Sequence, residues 1–321
     1  MKSIYSKSKK IFITLLIVII LSSCTSPIFA ATSKTSSSSA KRISLILQLI
    51  SNLSTRGNNF LNRLSIALSK TTTNTSKTIT IPDYAGPGYK SCYNTLNSNC
   101  QKLYRYLYSK KTDFIDGNTI DLKYFLTNYK ITTSEVFKTI NALEFDHPEF
   151  YYIISQNTYY ISYSASTLNL HFKNISSSLK NNLNRIDSIV NSIVIEANKK
   201  SNDYQKIKYV HDYIYSNMSY ELSQALSIDG FITKKGQCQT YAFMFKYVMN
   251  KLGIDCVYVH GFLPDGGGHA WNHVKLNGNW YMIDVCWDDC LSSYEYFLKG
   301  KSVLNGRTIN CNAPTLCNTN Y

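Results

Sequence analysis

Residues 236–288 decide the fold of this chain, and they read GQCQTYA at 236–242, GHAWNHV at 268–274 and WYMIDVCWD at 280–288. Three chemically active side chains stand out in these segments, in the order Cys238, His269 and Asp284. A thiol needs a base to become a nucleophile, and the base needs a third group that fixes its tautomer. These residues can therefore act as a catalytic triad if folding brings them together.

Cys238 is predicted to open a buried helix. Apolar residues recur at helical spacing from Ala242 to Leu252, and Gly253 is a typical C-terminal stop. The free amides and the positive dipole end at a helix N-terminus favour a thiolate and can bind an oxyanion. The alternative interpretation of Cys238 is a small thiol buried in the core.

The histidine and the aspartate are predicted to lie on a β-hairpin. Residues 270–276 and 279–283 have strand patterns, and the Asn-Gly pair between them is a strong signal for a two-residue turn. In the register that this turn sets, His269 and Asp284 share one face and are diagonal neighbours, about 7–8 Å apart. A shift of one residue would place them on opposite faces.

The three segments together resemble the transglutaminase-like superfamily, a branch of the papain-like cysteine enzymes. The shared pattern is Gly-x-Cys-x-x-Tyr-Ala, then His-Ala-Trp-Asn-x-Val, then Gly-x-Trp-Tyr-x-x-Asp-x-x-Trp-Asp, and it covers about residues 200–290. The resemblance implies a Cys238–His269–Asp284 triad. It also implies an α+β fold in which the helix with the cysteine packs on an antiparallel sheet with the other two residues, preceded by a smaller α+β extension. No cofactor and no metal are expected.

One feature of the papain-type pattern is missing from this sequence. Papain-type enzymes carry a glutamine for the oxyanion several residues before the cysteine, whereas Ile232 and its neighbours supply none. Gln237 is adjacent to Cys238 and is the candidate that remains. The donors to the oxyanion therefore stay open.

The expected activity is acyl transfer from an amide of a protein or peptide through a thioester on Cys238. Water as acceptor would make the enzyme a peptidase or amidase, and a lysine-type amine would make it a transglutaminase that cross-links proteins. The triad is the same in both cases. The alternative from a different class is a non-catalytic surface or binding module that keeps the fold, although an intact triad argues against it.

The net charge of +14 lies outside the predicted catalytic half of the 321 residues. Residues 201–321 contain 10 Lys+Arg and 10 Asp+Glu. Binding to nucleic acid is not expected, because no clustered basic motif or stacking module accompanies the excess. Attraction to an anionic envelope surface and a simple bias of composition both remain open.

The first 30 residues are predicted to be a targeting segment. Four lysines between Lys2 and Lys10 precede an apolar run, Ile11–Leu21, that is short for a bilayer span. Leu21-Ser22-Ser23-Cys24 resembles a bacterial lipobox, which implies a lipid on Cys24 and anchoring at the extracellular face of the membrane. Cleavage after Ala30 is the alternative and would give a secreted protein. Both predict export, with the substrate in the cell envelope.

The sequence divides into five predicted regions. These are a signal peptide (1–23), a tether with a helical stretch at 43–68 (24–85), an N-terminal α+β extension (86–200), the catalytic core (201–300) and a tail without a clear pattern (301–321). Within the extension, the patterns predict helices at 89–109, 114–129, 133–143 and 176–198, and a hairpin formed by 151–162 and 167–172.

Several other polar residues are predicted to be structural. Cys311 and Cys317 flank a short loop and could form a disulfide, since export permits one. Cys286 and Cys290 have a spacing that some metal sites use, but no histidine lies near them in sequence, and Cys286 is expected to continue the strand past Asp284. His211 and Asp212 are adjacent in a predicted helix (202–218). They are expected not to pair, because consecutive helical residues point about 100° apart.

Overall fold

The computed structural model describes residues 79–173, 175–223 and 228–321, which all fall within one compact unit, Thr73–Tyr321. The predicted signal peptide, Cys24 and the predicted helical stretch at 43–68 lie outside the described residues. No helix within the described ranges is long and apolar enough to cross a membrane. The predicted α+β class is confirmed, and the five region boundaries stay a prediction.

The described chain up to Asn217 is mainly helical, with one small sheet. Strand β3 lies at the centre of this sheet and pairs antiparallel with both β1 and β2. The elements are α1 (Ser98–Ser109), α2 (Lys111–Asp116), β1 (Ile120–Asp121), α3 (Lys123–Tyr129), α4 (Thr133–Asp146), α5 (Pro148–Ser155), β2 (Thr158–Tyr163), β3 (Leu168–Lys173), α6 (Leu179–Asn198) and α7 (Asp203–Asn217).

The remaining chain builds a four-stranded antiparallel sheet with one long helix against it. The strand order is β8-β7-β6-β9, and a separate parallel pair, β4 and β5, precedes the helix. The elements are β4 (Ser219–Tyr220), α8 (Gly230–Thr233), β5 (Lys235–Gly236), α9 (Cys238–Leu252), β6 (Cys256–Phe262), β7 (Gly268–Leu276), β8 (Asn279–Ile283), α10 (Val285–Leu291) and β9 (Thr308–Ile309).

Helix α9 begins at Cys238 and ends before Gly253, as predicted. Residues 240–250 are all buried, and Gly253 adopts the left-handed conformation (φ 72°) that favours glycine at a helix end. The helix packs against β6 and β7, and the side chain of Asn272 donates to the Ala242 carbonyl across this contact (3.0 Å). Each fully buried phenylalanine of α9 contributes roughly 1.5–3 kcal/mol to folding, so this contact fixes the position of Cys238 firmly.

The hairpin β7–β8 has the predicted register. Leu276 pairs with Asn279, and Asn272 pairs with Ile283. Asn277 (φ 50°) and Gly278 (φ 83°) both have positive φ, as a type I′ turn requires. The turn chemistry therefore sets which residues of the two strands share a face.

The extension departs from its predicted elements in three places. The helix predicted over 89–109 begins only at Ser98, where the Asn97 side chain caps it. Residues 151–155 were predicted as strand but belong to helix α5, because Pro148 suits the first turn of a helix and Phe150, Ile153 and Ile154 bury a helical face. The helix predicted over 114–129 is interrupted at Gly117 (φ 73°), which ends α2 before β1 and α3. The apolar residues of 151–155 suit a strand as well as a helix, and burial of a helical face decides between the two.

The segment after Gly300 adds a strand to the sheet and packs against it. Strand β9 pairs with the end of β6, and Leu316 joins a second buried cluster with Val257, Val259, Trp271 and Met282. The carbonyl of Pro314 bonds to Nδ1 of His273 (2.9 Å). Cys311 and Cys317 are both free thiols, so the disulfide that the sequence left open is not formed.

Candidate active site

Cys238 is the first residue of helix α9 and is partly buried. The residue before it, Gln237, has an extended backbone and no side-chain hydrogen bond that caps the helix. The first N–H groups of an α-helix have no acceptor within the helix. The sulfur therefore lies beside backbone donors and the positive end of a 15-residue helix.

His269 lies at the start of strand β7 and bridges the cysteine and the aspartate. Its Nε2 donates to Oδ2 of Asp284 at 2.7 Å, and both side chains are almost fully buried. A side-chain hydrogen bond also joins His269 to Cys238. Since Nε2 is engaged by the carboxylate, Nδ1 is the nitrogen that remains for the thiol. The structure thus brings the three predicted residues together.

The electrostatics of His269 favour its protonated form. Burial alone lowers the pKa of the imidazole, but the negative charge of Asp284, its hydrogen bond and the Cys238 side chain outweigh burial and raise the pKa to about 9. An imidazole with this pKa accepts a proton readily near neutral pH. It can therefore take the proton of the Cys238 thiol and hold it.

Asp284 is fixed by three hydrogen bonds. Its Oδ1 accepts from the Trp287 backbone N–H (3.1 Å), and its Oδ2 accepts from both His269 and Arg307. The first of these bonds caps helix α10, so the chain turns into a helix directly after Asp284. The expectation that Cys286 continues the strand is therefore wrong, because an aspartate followed by free amides favours a helix start.

Arg307 is the residue of this site that the sequence did not predict. Its Nη1 lies 3.0 Å from Oδ2 of Asp284, and its side chain is only 3% exposed. The guanidinium also lies over three aromatic rings, with its carbon 4.4 Å from the centroid of Trp287, 5.0 Å from Tyr296 and 5.4 Å from Trp271. The one available signal is that Arg307 is the single arginine in residues 201–321, where the other nine basic residues are lysines.

Gln237, the candidate oxyanion donor, directs its amide elsewhere. Its Nε2 donates to the Leu222 carbonyl at 3.0 Å. The backbone N–H of Cys238, at the first position of α9, lies next to the sulfur, and its position does not depend on the side chain of Gln237. A role for Gln237 in binding the oxyanion stays a prediction.

Cys286 and Cys290 are one turn apart on helix α10, close to the triad. Their mutual hydrogen bond, partly opposed by burial, lowers the pKa of Cys290 to about 7, and the same bond together with burial raises the pKa of Cys286. Within the described ranges, no three histidine, cysteine or carboxylate side chains cluster in a way that would hold a metal ion.

His211 and Asp212 form a contact that the sequence argument excluded. Nδ1 of His211 lies 3.1 Å from Oδ1 of Asp212, although the two residues are adjacent in helix α7. Nε2 of His211 bonds to Oδ2 of Asp288 at 3.0 Å, and neither of these two side chains is exposed. The prediction that the adjacent pair does not interact is wrong. The two side chains leave the helix about 100° apart, but together they are long enough to meet. The structural role of His211 stays a prediction.

A family model matches the part of the chain that carries this site. The model of the transglutaminase-like superfamily matches residues 191–285. These residues are a transglutaminase-like domain. The match contains all three triad positions and ends before Arg307.

The chain is also similar to curated proteins over part of its length. Kyphoscoliosis peptidase of Homo sapiens is 25% identical and that of Mus musculus is 26% identical, each over 32% of this chain. The chain spans 18% of the length of these curated relatives.

Two solved structures are similar at lower identity. A TGase structure has 17% identity and a TM-score of 0.30, and covers 40% of this chain and 43% of that chain. The periplasmic domain of TgpA from Pseudomonas aeruginosa, bound to ethylmercury, has 18% identity and a TM-score of 0.27, and covers 32% of this chain and 44% of that chain.

Proposed function

We propose that this protein is a cysteine enzyme that transfers an acyl group from an amide of a protein or peptide, through a thioester on Cys238. The observation that carries the proposal is the position of His269. One ring nitrogen of His269 bonds to Asp284 at 2.7 Å, and its side chain also bonds to Cys238 at the end of helix α9. A cysteine–imidazole–carboxylate chain of this kind is what an activated thiol requires.

The reaction follows from the order of the three residues. His269 accepts the thiol proton, and the sulfur of Cys238 attacks the carbonyl carbon of the amide. The tetrahedral intermediate collapses when His269 gives the proton to the leaving nitrogen, so that the C–N bond breaks and the thioester remains. Asp284 holds the imidazole in the tautomer and orientation that these transfers need, and stabilises its positive charge.

The oxyanion of the intermediate needs donors close to the sulfur. The backbone N–H of Cys238 is one candidate, because the first amides of α9 have no intrahelical acceptor and the helix dipole favours negative charge there. Gln237 is a second candidate, and its use would require its amide to leave the Leu222 carbonyl.

The second half of the reaction has two possible acceptors. Water would release an acid and make the enzyme a peptidase or amidase, whereas a primary amine would give a new amide bond and make it a transglutaminase. The name of the curated relatives, kyphoscoliosis peptidase, favours hydrolysis. The triad itself serves both acceptors.

We also propose that the enzyme acts outside the cytoplasm on proteins of the cell envelope. The support is the sequence alone, namely the basic start, the apolar run Ile11–Leu21 and the lipobox-like Leu21-Ser22-Ser23-Cys24. A lipid on Cys24 would hold the enzyme at the membrane, and the polar residues 31–40 would separate it from the surface. Finding that the mature chain begins at Ala31 and is freely soluble would exclude the anchor but not export.

The proposed function is tested with a glutamine-containing protein such as casein, incubated with the full chain in the presence and absence of a labelled primary amine. Covalent incorporation of the amine means transfer, new peptide termini mean hydrolysis of the backbone, and release of ammonia alone means deamidation. Each of these outcomes supports acyl transfer if Cys238→Ala lacks it. An absence of all three, or their persistence in folded Cys238→Ala, overturns the proposal.

A further inference from the structure

We propose that Arg307 is a positioning residue of the triad: it orients the Asp284 carboxylate towards His269. The inference rests on the proposed function, since it assigns a role in activating Cys238. Arg307 lies outside the residues that match the family model, and it is 23 residues beyond Asp284 in the sequence.

The first observation is that Arg307 and His269 share one oxygen of Asp284. Oδ2 accepts from Nε2 of His269 at 2.7 Å and from Nη1 of Arg307 at 3.0 Å, while Oδ1 accepts from the Trp287 backbone N–H. With Oδ1 held by the start of helix α10, the arginine fixes the rotation of the carboxylate about its last bond. This rotation decides whether Oδ2 points at the imidazole.

The second observation is burial. Asp284 is 1% exposed, so its charge is removed from water and needs a partner. A protonated His269 supplies a positive charge only during part of the reaction, because the imidazole gains and loses its proton. Arg307 is charged at all times. It therefore gives the buried carboxylate a positive partner also when the imidazole is neutral.

The third observation is that Arg307 itself is held in place. Its guanidinium lies 4.4 Å from the ring centroid of Trp287 and 5.0 Å from that of Tyr296, and both rings follow Asp284 in the chain. Aromatic faces attract a guanidinium and limit its movement. The arginine is thus a preorganised donor, in contrast to a flexible surface cation.

A purely structural role, fastening the C-terminal segment, does not account for this geometry. That segment is attached by bonds that do not involve Arg307: β9 pairs with β6, Asn310 N–H donates to the His260 carbonyl and Cys317 N–H donates to the Trp280 carbonyl. The Arg307 side chain instead reaches from the segment to the carboxylate of Asp284, which contacts His269.

The test measures how fast iodoacetamide alkylates Cys238 in the full-length protein. The tryptic peptide of residues 236–246 contains Cys238 as its single cysteine, so mass spectrometry reports this thiol separately from the other eight. We expect Arg307→Met to slow alkylation of Cys238 roughly tenfold or more, in line with the loss of a hydrogen bond to a charged group. Arg307→Lys keeps the charge and one donor and should recover most of the rate.

A double-mutant cycle separates positioning from general damage to the fold. If Arg307 acts through Asp284, Arg307→Met should slow the reaction no further in an Asp284→Asn background. The matched control is Arg105→Met, which removes a partly buried arginine whose bonds go to the Pro82 carbonyl and the Tyr93 hydroxyl. It should leave alkylation of Cys238 unchanged.

The outcomes distinguish this inference from the proposed function. If His269→Ala does not slow alkylation of Cys238, the proposed function itself fails. If His269→Ala slows it but Arg307→Met does not, or if the effects of Arg307→Met and Asp284→Asn add, the role of Arg307 is overturned alone. Should Arg307→Met fail to fold, Arg307→Gln replaces it, and a rate equal to that of Arg307→Lys overturns the need for a charge at this position.

Discussion

His269 donates through Nε2 to Asp284 at 2.7 Å, and this bond leaves the opposite nitrogen of the ring for Cys238. The bond joins the start of strand β7 to the residue that caps helix α10. The orientation of the imidazole is thus set by the hairpin register and by the helix that follows the hairpin. Changes at Asp284 and at His269 should therefore affect the same step in different ways.

Asp284→Asn should lower the turnover of an amide substrate by roughly 10²–10⁴-fold and leave measurable activity. Asparagine carries no charge that could stabilise the imidazolium. Its NH2 group can also face the ring nitrogen as a donor, where the ring N–H needs an acceptor. It is, however, as good a helix N-cap as aspartate, so α10 should keep its start. Turnover is measured alongside the circular dichroism spectrum, and an unchanged rate in the folded variant would show that Asp284 does not assist His269.

His269→Ala should reduce turnover nearly as much as loss of the thiol, because the members of a triad act as a unit. Asp284 keeps its bonds to Arg307 and to the Trp287 amide in this variant, so the fold should persist. His171→Ala is the matched control. His171 bonds to Ser162 and Thr119 in the small sheet of the extension, and its loss should leave turnover unchanged.

Turnover should decline as the pH rises through about 9. The pKa of His269 is raised to about 9, chiefly by Asp284 acting against burial, so the imidazolium that protonates the leaving nitrogen is present below that pH and lost above it. In Asp284→Asn the main cause of the raised pKa is removed. The alkaline limb of its pH–rate profile should therefore move to lower pH, and a limb that stays in place would contradict this cause.

Asp288→Ala should lower the free energy of unfolding by roughly 1–3 kcal/mol, because Nε2 of His211 is then buried without its partner while Nδ1 keeps Asp212. Asp288 and His211 are both unexposed, and their bond joins helix α10 to α7. Urea denaturation measures the loss. Asp203→Ala, at an exposed position of α7, is the control and should change stability by less than about 1 kcal/mol.

The local signals in the sequence were sufficient for the centre of the fold. The Asn277-Gly278 turn sets the register of β7 and β8 by its own backbone requirement, and the periodic apolar residues with Gly253 define helix α9. The hairpin register alone predicts that His269 and Asp284 are neighbours. The position of Cys238 beside them is what the resemblance to the transglutaminase-like superfamily implies.

The parts that could not be predicted depend on contacts between distant residues. Nothing near Arg307 in sequence indicates that its side chain reaches Asp284, since the contact joins two residues 23 positions apart and lies next to the pairing of β9 with β6. The sequence predicts a strand for residues 151–155 of helix α5, because their apolar side chains suit either structure. Asp284 was expected to lie within a continuing strand, and its role as a helix cap depends on the free amide of Trp287.

The most direct test of the account is the activity of Cys238→Ala in the casein reaction, followed by both amine incorporation and new peptide termini. Cys317→Ser is the matched control, since this free thiol contacts Thr319 in the C-terminal segment and has no place in the proposed reaction. The account predicts that Cys238→Ala folds and has no activity, while Cys317→Ser keeps the wild-type rate. Wild-type turnover by folded Cys238→Ala would contradict it.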